Sequence, residues 1–278
     1  NGVEVSSVLD PRLNPLRANN QIAVFVTELF PAVPGINKFS GSLVVEVLET
    51  GQVAVTSLVA KESLLSAVPI VEFNAVTSAR LKADYQFQNT LASSVSGPPN
   101  LNNVGSNTFA VGMVDGNPST VLNFAPNDGL TLVPTVGVMP NDTYTIAVLF
   151  SFKETSRWRK ILDLKNGEVD RGLFVLDGML VFYNESSSSI NASINPNTFV
   201  QVVLTRDSDK RVVGYVNGVK QFSFTDVNNS AVISDKNTLR FFNNVPRPGD
   251  SASGAVARVR IYDNAISEEE VALLDRLP

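Results

Sequence analysis

The sequence predicts an all-β protein built as a sandwich of antiparallel sheets, and three observations support this prediction. Short valine-rich runs alternate with polar residues, and almost no stretch shows helical periodicity. Two dipeptides, Asp177-Gly178 and Asn217-Gly218, separate apolar runs, which is the pattern of two-residue hairpin turns. Residues 200–218, continued by residues 221–225, therefore predict three successive antiparallel strands within a larger sandwich.

The composition limits the class of protein. A chain of 278 residues with 44% hydrophobic and 18% charged residues is globular, with room for one large or two ordinary domains. A net charge of −5 without a basic patch makes nucleic acid and anionic membranes unexpected partners. No apolar run approaches the ~18 residues that span a bilayer, so membrane insertion is not expected. The absence of Cys and His excludes disulfides, thiolate metal sites and the usual general base.

We expect two modules, a small β-sandwich (immunoglobulin-like) over residues 1–79 and a larger domain over residues 80–278. The boundary falls in the short, small and polar stretch 74–79. The first module contains a buried-type strand at 22–26 and a hairpin whose strands span 42–48 and 52–58. Its order of strands and turns resembles short modules of bacterial secreted and surface proteins, which implies neighbouring modules in a larger chain.

The larger domain predicts many short strands and one helix. Residues 88–143 are rich in loops, and residues 144–152 predict a long inner strand. The other strands are expected at 109–111, 120–124, 130–132, 159–164, 172–176, 179–183, 238–242 and 255–262. A helix is expected at 267–274, because Ser267 and Glu270 form a capping box and acidic residues occupy its first turn.

Three segments carry a family resemblance. Residues 199–221, FVQVVLTRDSDKRVVGYVNGVKQ, resemble the central meander of laminin-G-like, concanavalin A-like jelly rolls. Residues 253–271 resemble the closing strand and short helix of that family, and residues 83–87 resemble its N-terminal edge. The resemblance covers about residues 80–278 and implies a jelly-roll β-sandwich, although this chain lacks the disulfide usual in animal laminin-G modules. Such sandwiches include lectins, adhesion modules and glycosidases, so the fold alone does not give the function.

We expect no enzymatic activity. Laminarinase-type enzymes on this fold place two Glu and one Asp on a single strand, because retaining chemistry needs a carboxylate pair only ~5 Å apart. The one Glu-x-Asp here, Glu168-Val169-Asp170, lacks the second Glu and precedes a strand instead of lying within it. Glu46 and Glu49 fall on opposite faces of the N-terminal hairpin. A glycoside hydrolase on the same fold remains an alternative.

The resemblance also implies a calcium site on one rim of the sandwich. Asp170, in VDRGLFVLDGMLVFYN, and Asp226, which ends QFSFTD, match the two acidic ligands of the family. Phe224 and a residue near Val181 would supply backbone carbonyls. Carboxylate and carbonyl oxygens suit Ca²⁺, with an expected affinity in the ~10⁻⁴–10⁻³ M range. The alternative interpretation is a pair of solvated turn aspartates.

Two polar connections contain candidate ligand-binding residues. Sugar sites stack an aromatic ring on the ligand and surround it with amides and charged groups. Trp158, the only tryptophan, lies with Arg159 in the connection 154–160, and Asn243, Asn244 and Arg247 lie in another loop. A tryptophan that covers the core is the alternative interpretation of Trp158.

The predicted role is that of an extracellular or cell-surface, non-catalytic binding module. Its expected partner is a glycan or a cell-surface protein, in adhesion or attachment. The alternative is a structural repeat of a larger surface or appendage protein. Four Asn-x-Ser/Thr sequons, at Asn141, Asn184, Asn191 and Asn228, indicate either glycosylation or chance in a chain rich in these residues.

Overall fold

The chain divides into two compact units, Asn1–Asn74 and Ala75–Pro278. The computed structural model describes residues 57–61, 64–68, 79–185 and 194–277. In the first unit these residues form a hairpin of β1 (Ser57–Lys61) and β2 (Leu64–Val68), which pair antiparallel and which the sequence analysis did not identify. The predicted strand at 22–26, most of the predicted hairpin and the sequon at Asn191 lie outside the described residues.

The second unit is all-β apart from one α-helix and one 3₁₀ turn in its described part. Its strands are β3 (Leu81–Tyr85), β4 (Asn102–Val104), β5 (Thr108–Val114), β6 (Asn117–Phe124), β7 (Gly129–Leu132), β8 (Tyr144–Phe152), β9 (Trp158–Asp163), β10 (Gly172–Leu176), β11 (Met179–Tyr183), β12 (Val200–Arg206), β13 (Arg211–Val216), β14 (Val219–Thr225), β15 (Leu239–Phe241) and β16 (Gly254–Tyr262). The helix α1 spans Glu268–Leu273, and the 3₁₀ turn spans Pro248–Asp250.

These strands form two antiparallel sheets. The smaller sheet has six strands in the order β11-β10-β9-β15-β7-β4. The larger sheet runs β14-β13-β12-β8-β16-β6-β5, and β3 pairs with β16 beyond the end of its pairing with β6. Strand β8 lies in the middle of the larger sheet and all nine of its residues are buried. The predicted sandwich and its long inner strand are both confirmed.

The main core lies between the two sheets and draws on both. Phe150 and Phe152 of β8 face the smaller sheet, and Phe124 of β6 stacks on Phe242 at a ring-centroid distance of 4.3 Å. The opposite side of β8 is also covered, since Ala147 packs in a second cluster with Val271 of α1. Burial on both faces explains why β8 is largely apolar, with Thr145 and Ser151 as buried polar residues near its ends.

Both predicted hairpin turns are confirmed. Leu176 pairs with Met179 around Asp177-Gly178, and Val216 pairs with Val219 around Asn217-Gly218. The central residues have φ of 48° and 81° in the first turn and 49° and 81° in the second, the positive values that type I′ turns require. A third turn of the same kind, at Asp115-Gly116 with φ of 50° and 81°, was not predicted.

The predicted helix cap is also confirmed. The Glu270 amide donates to the Ser267 hydroxyl, and the Ser267 amide donates to the Glu270 carboxylate. This reciprocal pair satisfies two amides that a helix N-terminus leaves without partners.

An ion pair joins strand β3 to β16 and makes the free energy of unfolding depend on pH. Arg258 binds Asp84 through Nε at 2.8 Å and Nη2 at 2.9 Å. Burial alone would raise the pKa of Asp84, but hydrogen bonds from Arg258 and Gln86 and the charge of Arg258 outweigh it, so the pKa lies below its ordinary value of 3.8. The folded carboxylate therefore keeps its charge to lower pH than the unfolded one. Its contribution to stability is complete above about pH 5 and is lost as the pH falls through the folded pKa.

We expect Asp84→Asn to lower the free energy of unfolding at neutral pH by about 2–3 kcal/mol, because the buried Arg258 loses its bidentate partner but keeps Asp275. The difference from the native sequence should shrink as the pH falls below about 5 and through the folded pKa, because protonation then removes the Asp84 charge from the native chain. Urea unfolding at several pH values measures this. Asp209→Asn, in an exposed turn, is the control, and a difference that stays constant with pH contradicts the account.

Candidate functional site

A small pocket opens on the smaller sheet, on the face turned away from the main core. Its volume is about 150 Å³. Strands β9, β10 and β11 supply an aromatic side, and the segments before β10 and after β15 supply a charged side. The lining residues are Trp158, Asp170, Phe174, Tyr183, Arg247 and Asp250. Two of the predicted ligand-binding residues, Trp158 and Arg247, therefore meet in one pocket although they lie far apart in the sequence.

The register between strands β9 and β10 brings the aromatic residues of the pocket together. Leu176 pairs with Trp158, and Phe174 lies two residues along β10, so Trp158 and Phe174 lie near each other on the outer face. Tyr183 joins them from β11. The Trp158 ring meets Phe174 edge-on at 5.5 Å and Tyr183 at 5.1 Å. Phe174 is buried beneath the other two, whereas Trp158 and Tyr183 are half-buried and present ring surface to the pocket.

A glycine allows the neighbouring segment to approach this wall. Gly172 pairs with Tyr183 at the start of β10 and has a φ of 127°. A Cβ atom at this position would lie 2.2 Å from the carbonyl oxygen of Leu162. Only glycine therefore fits, and it lets the chain turn sharply after Asp170 so that this carboxylate reaches the pocket.

The charged side of the pocket is centred on Asp170. Arg247 approaches its Oδ2 with Nε at 3.2 Å, and Asn244 donates from Nδ2 to its Oδ1 at 3.1 Å. The Arg247 side chain is 63% exposed, and no hydrogen bond among the described residues uses its Nη1 or Nη2. Arg247 thus has donors available to a ligand, while Asp170 is held in place from two sides.

A buried lysine lies beneath the aromatic side. The Lys160 ammonium is 4.0 Å from the centroid of the Phe174 ring and contacts Asp163 at 3.4 Å and Asp170 at 3.3 Å. It also donates to the carbonyl of Arg171 at 3.0 Å. Burial lowers the pKa of Lys160, although both carboxylates favour its charged form. The ammonium fixes the segment that bears Asp170 against β9.

Three of the five predicted ligand-binding residues do not line the pocket. Arg159 is buried and donates from Nη1 to the carbonyls of Gly249 and Ser251. The Asn243 side chain does not face the pocket and donates to the carbonyl of Asn127. Asn244 touches the pocket only through Asp170. These three side chains hold the loop after β15 in its conformation and do not form the surface of the pocket.

Both carboxylates of the predicted calcium site have partners from the protein. Asp226 is fully buried, receives Arg206 Nε at 2.9 Å, and accepts the amides of Ser230 at 2.6 Å and Ala231 at 3.1 Å. Asp170 is held by Lys160 and Arg247. The described residues contain no group of three or more His, Cys, Asp or Glu side chains that could hold a metal.

The two residues expected to supply carbonyls lie on strands of different sheets. Val181 is on β11 and Phe224 on β14, and the rings of Phe182 and Phe224 are 5.2 Å apart. Asp226, the acidic ligand predicted on this side, directly follows β14. A calcium ion there would have to displace the Arg206 guanidinium, which is only 2% exposed, from Asp226. Removing a buried partner of this kind is strongly unfavourable.

We expect the melting temperature to be equal in millimolar Ca²⁺ and in a chelator, because no carboxylate oxygen of Asp170 or Asp226 is free to bind the ion. Differential scanning calorimetry under both conditions measures this. A rise with Ca²⁺ that Asp170→Ala removes would restore the calcium prediction and contradict the ion-paired arrangement.

Sequence reasoning missed three residues of the pocket, Phe174, Tyr183 and Asp250. Phe174 and Tyr183 lie within apolar strands, where an aromatic residue is usually part of the core. A signal was available in the alternation of β10 and β11, since Leu173, Val175, Leu180 and Phe182 occupy the main core and leave the intervening positions for the opposite face.

Two antiparallel sheets packed face to face, with an aromatic pocket on the outside of one of them, define a lectin-like β-sandwich. The chain belongs to the concanavalin A-like lectin/glucanases superfamily, whose laminin-G type family model matches residues 124–272, more than half of its length. This match includes the strands that form the aromatic side of the pocket and the loop that bears Arg247.

Solved structures share the fold at low sequence identity. Domain 4 of AbnA, a GH43 extracellular arabinanase from Geobacillus stearothermophilus solved with arabinotriose, aligns with a TM-score of 0.56 and 15% identity over 70% of this chain and 97% of that one. The binding domain of Paraclostridial Mosquitocidal Protein 1 aligns at 0.55 and 15% identity over 69% of this chain. The botulinum neurotoxin serotype G binding domain aligns at 0.51 and 14% identity over 70%.

The chain spans about half the length of both toxin domains, 51% and 50%. No curated protein sequence matches the chain. No helix in the described part of the chain has the length and apolar character needed to cross a membrane.

Proposed function

We propose that the second unit is a non-catalytic carbohydrate-binding module and that the aromatic pocket binds its ligand. The observation that supports this most strongly is the convergence of Trp158 and Tyr183, half-buried aromatic rings, with Arg247, an arginine that has free donors. Sugar rings present apolar C–H faces and a rim of hydroxyl groups. An aromatic wall facing charged hydrogen-bonding groups matches both features.

The pocket is sized for one sugar ring. A volume of about 150 Å³ is well below the ~300–1,000 Å³ of sites that enclose drug-sized ligands. The proposed ligand is therefore a terminal or side-branch residue of a glycan, with the rest of the chain outside the pocket. Two acids, Asp170 and Asp250, and two cations, Arg247 and the underlying Lys160, give the site no strong excess of charge. A neutral sugar suits this balance best.

The same residues argue against hydrolysis. Glycoside hydrolases need one carboxyl group that gives a proton and a second that acts as base or nucleophile. Asp170 is engaged by Lys160, Asn244 and Arg247, so both of its oxygens already have partners from the protein. Glu168, the other acid of the Glu-x-Asp pair, does not line the pocket and is exposed. The pocket therefore offers a binding surface without a proton donor in place.

An extracellular or cell-surface location, with a role in adhesion or attachment, belongs to this proposal. The arabinanase whose domain 4 shares the fold is described as extracellular, and that domain was solved with a sugar. The absence of Cys and His is compatible with a module that binds without catalysis. A structural repeat of a larger surface protein is the competing function, and it would leave the pocket without a ligand.

A glycan array tests the proposal. We expect the full chain to bind a set of glycans that share one terminal or branching neutral sugar. We also expect no release of reducing ends from these glycans on prolonged incubation. Binding to no glycan, together with binding to no polysaccharide in solution, would favour the structural repeat. Release of reducing ends that Asp170→Asn abolishes would favour the hydrolase.

A further inference from the structure

A buried lysine, an aspartate and an asparagine meet beside the pocket floor in an arrangement that binding does not require. The Lys160 side chain is fully buried, and Asn244 is 1% exposed. Both donate to the same atom, Asp170 Oδ1, Lys160 from Nζ at 3.3 Å and Asn244 from Nδ2 at 3.1 Å. The carbonyl oxygen of the Asn244 amide is buried and accepts no hydrogen bond from the residues that the structure describes. An unpaired buried amide oxygen is costly, so this side chain calls for an explanation.

The sheet register places the two nitrogen-bearing side chains together. Strand β15 runs antiparallel to β9, with Arg240 opposite Asp163 and Phe241 opposite Leu162. The Phe242 amide continues this pairing by donating to the carbonyl of Ile161 at 3.0 Å. The chain after β15 therefore follows β9 towards its first residues and arrives beside Lys160. The pairing thus brings the segment that bears Asn244 to the same part of the smaller sheet as Lys160, and both side chains contact Asp170 there.

The Lys160 ammonium is shielded from water, whereas Asp170 is 15% exposed at the edge of the pocket. The ring of Phe174 covers the Lys160 ammonium at 4.0 Å, and Trp158 and Tyr183 pack against Phe174 in turn. Two reacting groups held in contact with a shared carboxylate gain a large advantage over the same groups in solution. The carboxylate itself can relay protons between them.

We propose that Lys160 and Asn244 form an intramolecular isopeptide bond, with Asp170 as the proton relay. The Lys160 ammonium gives a proton to Asp170, and its lone pair attacks Cγ of Asn244. The Nζ–Cγ bond forms, protons pass through Asp170 to Nδ2, and the Cγ–Nδ2 bond breaks. The products are one secondary amide and one ammonium ion. All atoms and charges balance, and no oxidant, reductant or added group is required.

The bond would tie the loop that bears Arg247 to the strand that bears Trp158. It would join residues 84 positions apart, and a covalent link that closes a long loop restricts the unfolded chain most. The two sides of the pocket would then be held at a fixed separation. Bond formation would remove the Lys160 charge beneath the pocket but leave Trp158, Tyr183 and Arg247 in its lining, so either proposal can fail alone.

Mass spectrometry of the full chain tests the proposal. The intact denatured protein should be lighter than its sequence by the mass of one ammonia molecule. A tryptic digest should contain one branched peptide that joins residues 160–165 to residues 241–258, because a modified Lys160 is not cleaved. An intact mass equal to that of the sequence overturns the proposal. A loss of one water molecule overturns Asn244 as the acceptor, because it places the bond on an aspartate.

Matched variants identify the residues that take part in forming the bond. Lys160→Met removes the nucleophile and Asp170→Ala removes the relay, so both should have the full mass of their sequences. Lys165→Met changes a lysine five residues away that binds the carbonyls of Asn229 and Val232 and should retain the loss of ammonia. Because mass is measured on the denatured chain, weak folding of one variant does not obscure the native protein. Loss of ammonia that persists in Lys160→Met contradicts the assignment.

Discussion

Replacing Asp226 by alanine is expected to lower the free energy of unfolding by about 3–5 kcal/mol, since it leaves Arg206 buried without its counter-ion. Arg206 is 2% exposed and Asp226 is fully buried, so water cannot take the place of the lost carboxylate. The change also removes the acceptor for the amides of Ser230 and Ala231, which shape the segment after β14. Against a typical total of about 5–15 kcal/mol, this loss is large.

Chemical unfolding monitored by circular dichroism measures the effect. Asp235→Ala, an exposed acid in the same connection, should change stability by less than about 0.5 kcal/mol. A double variant, Arg206→Met with Asp226→Leu, should recover much of the loss, because two apolar side chains leave no buried charge unpaired. A small effect of Asp226→Ala, or a double variant worse than either single one, would contradict the buried ion pair.

The second large effect is expected on binding. Trp158→Ala should weaken binding of the preferred glycan by roughly 30-fold or more, which corresponds to the ~2 kcal/mol of an interface hot spot. The indole supplies a large part of the exposed aromatic surface of the pocket and also supports Tyr183 by an edge contact at 5.1 Å. Calorimetric titration of both chains with the same glycan measures the change.

A matched control separates recognition from folding. Phe109→Ala removes another half-buried aromatic ring, on β5 at the edge of the larger sheet, and should leave glycan affinity unchanged. Trp158→Phe keeps a ring at the site and should lose less affinity than Trp158→Ala. Equal losses in Phe109→Ala and Trp158→Ala would mean that the effect arises from general destabilisation.

The fold could be predicted from sequence because its signals are local. The Asp177-Gly178 turn requires positive φ at two adjacent positions, and the residues that accept this are few. The capping box is likewise a local signal, because it needs only Ser267 and Glu270, three positions apart. The turn signals set the pairing and register of consecutive strands without knowledge of distant contacts.

The site could be predicted only in part because its geometry depends on distant pairing. Trp158 and Arg247 stood out as an isolated tryptophan and an arginine in polar connections, and the structure brings them together. Phe174 was not recognised, because the residues on either side of it in β10, Leu173 and Val175, belong to the core. The calcium prediction matched two aspartates to a family pattern, but the pattern did not reveal that Arg206 lies against Asp226. Whether a carboxylate is free to bind a metal depends on partners from other strands, which a local sequence pattern does not show.

The central claim, that the aromatic pocket binds sugar, has one especially direct test. Trp158 is the only tryptophan in the chain, so the intrinsic tryptophan fluorescence reports on this pocket alone. Titration with a glycan selected on the array should shift the emission and saturate at the dissociation constant found by calorimetry, in the full native chain. If that glycan binds by calorimetry while the emission of Trp158 does not change, the ligand binds elsewhere and the account is wrong.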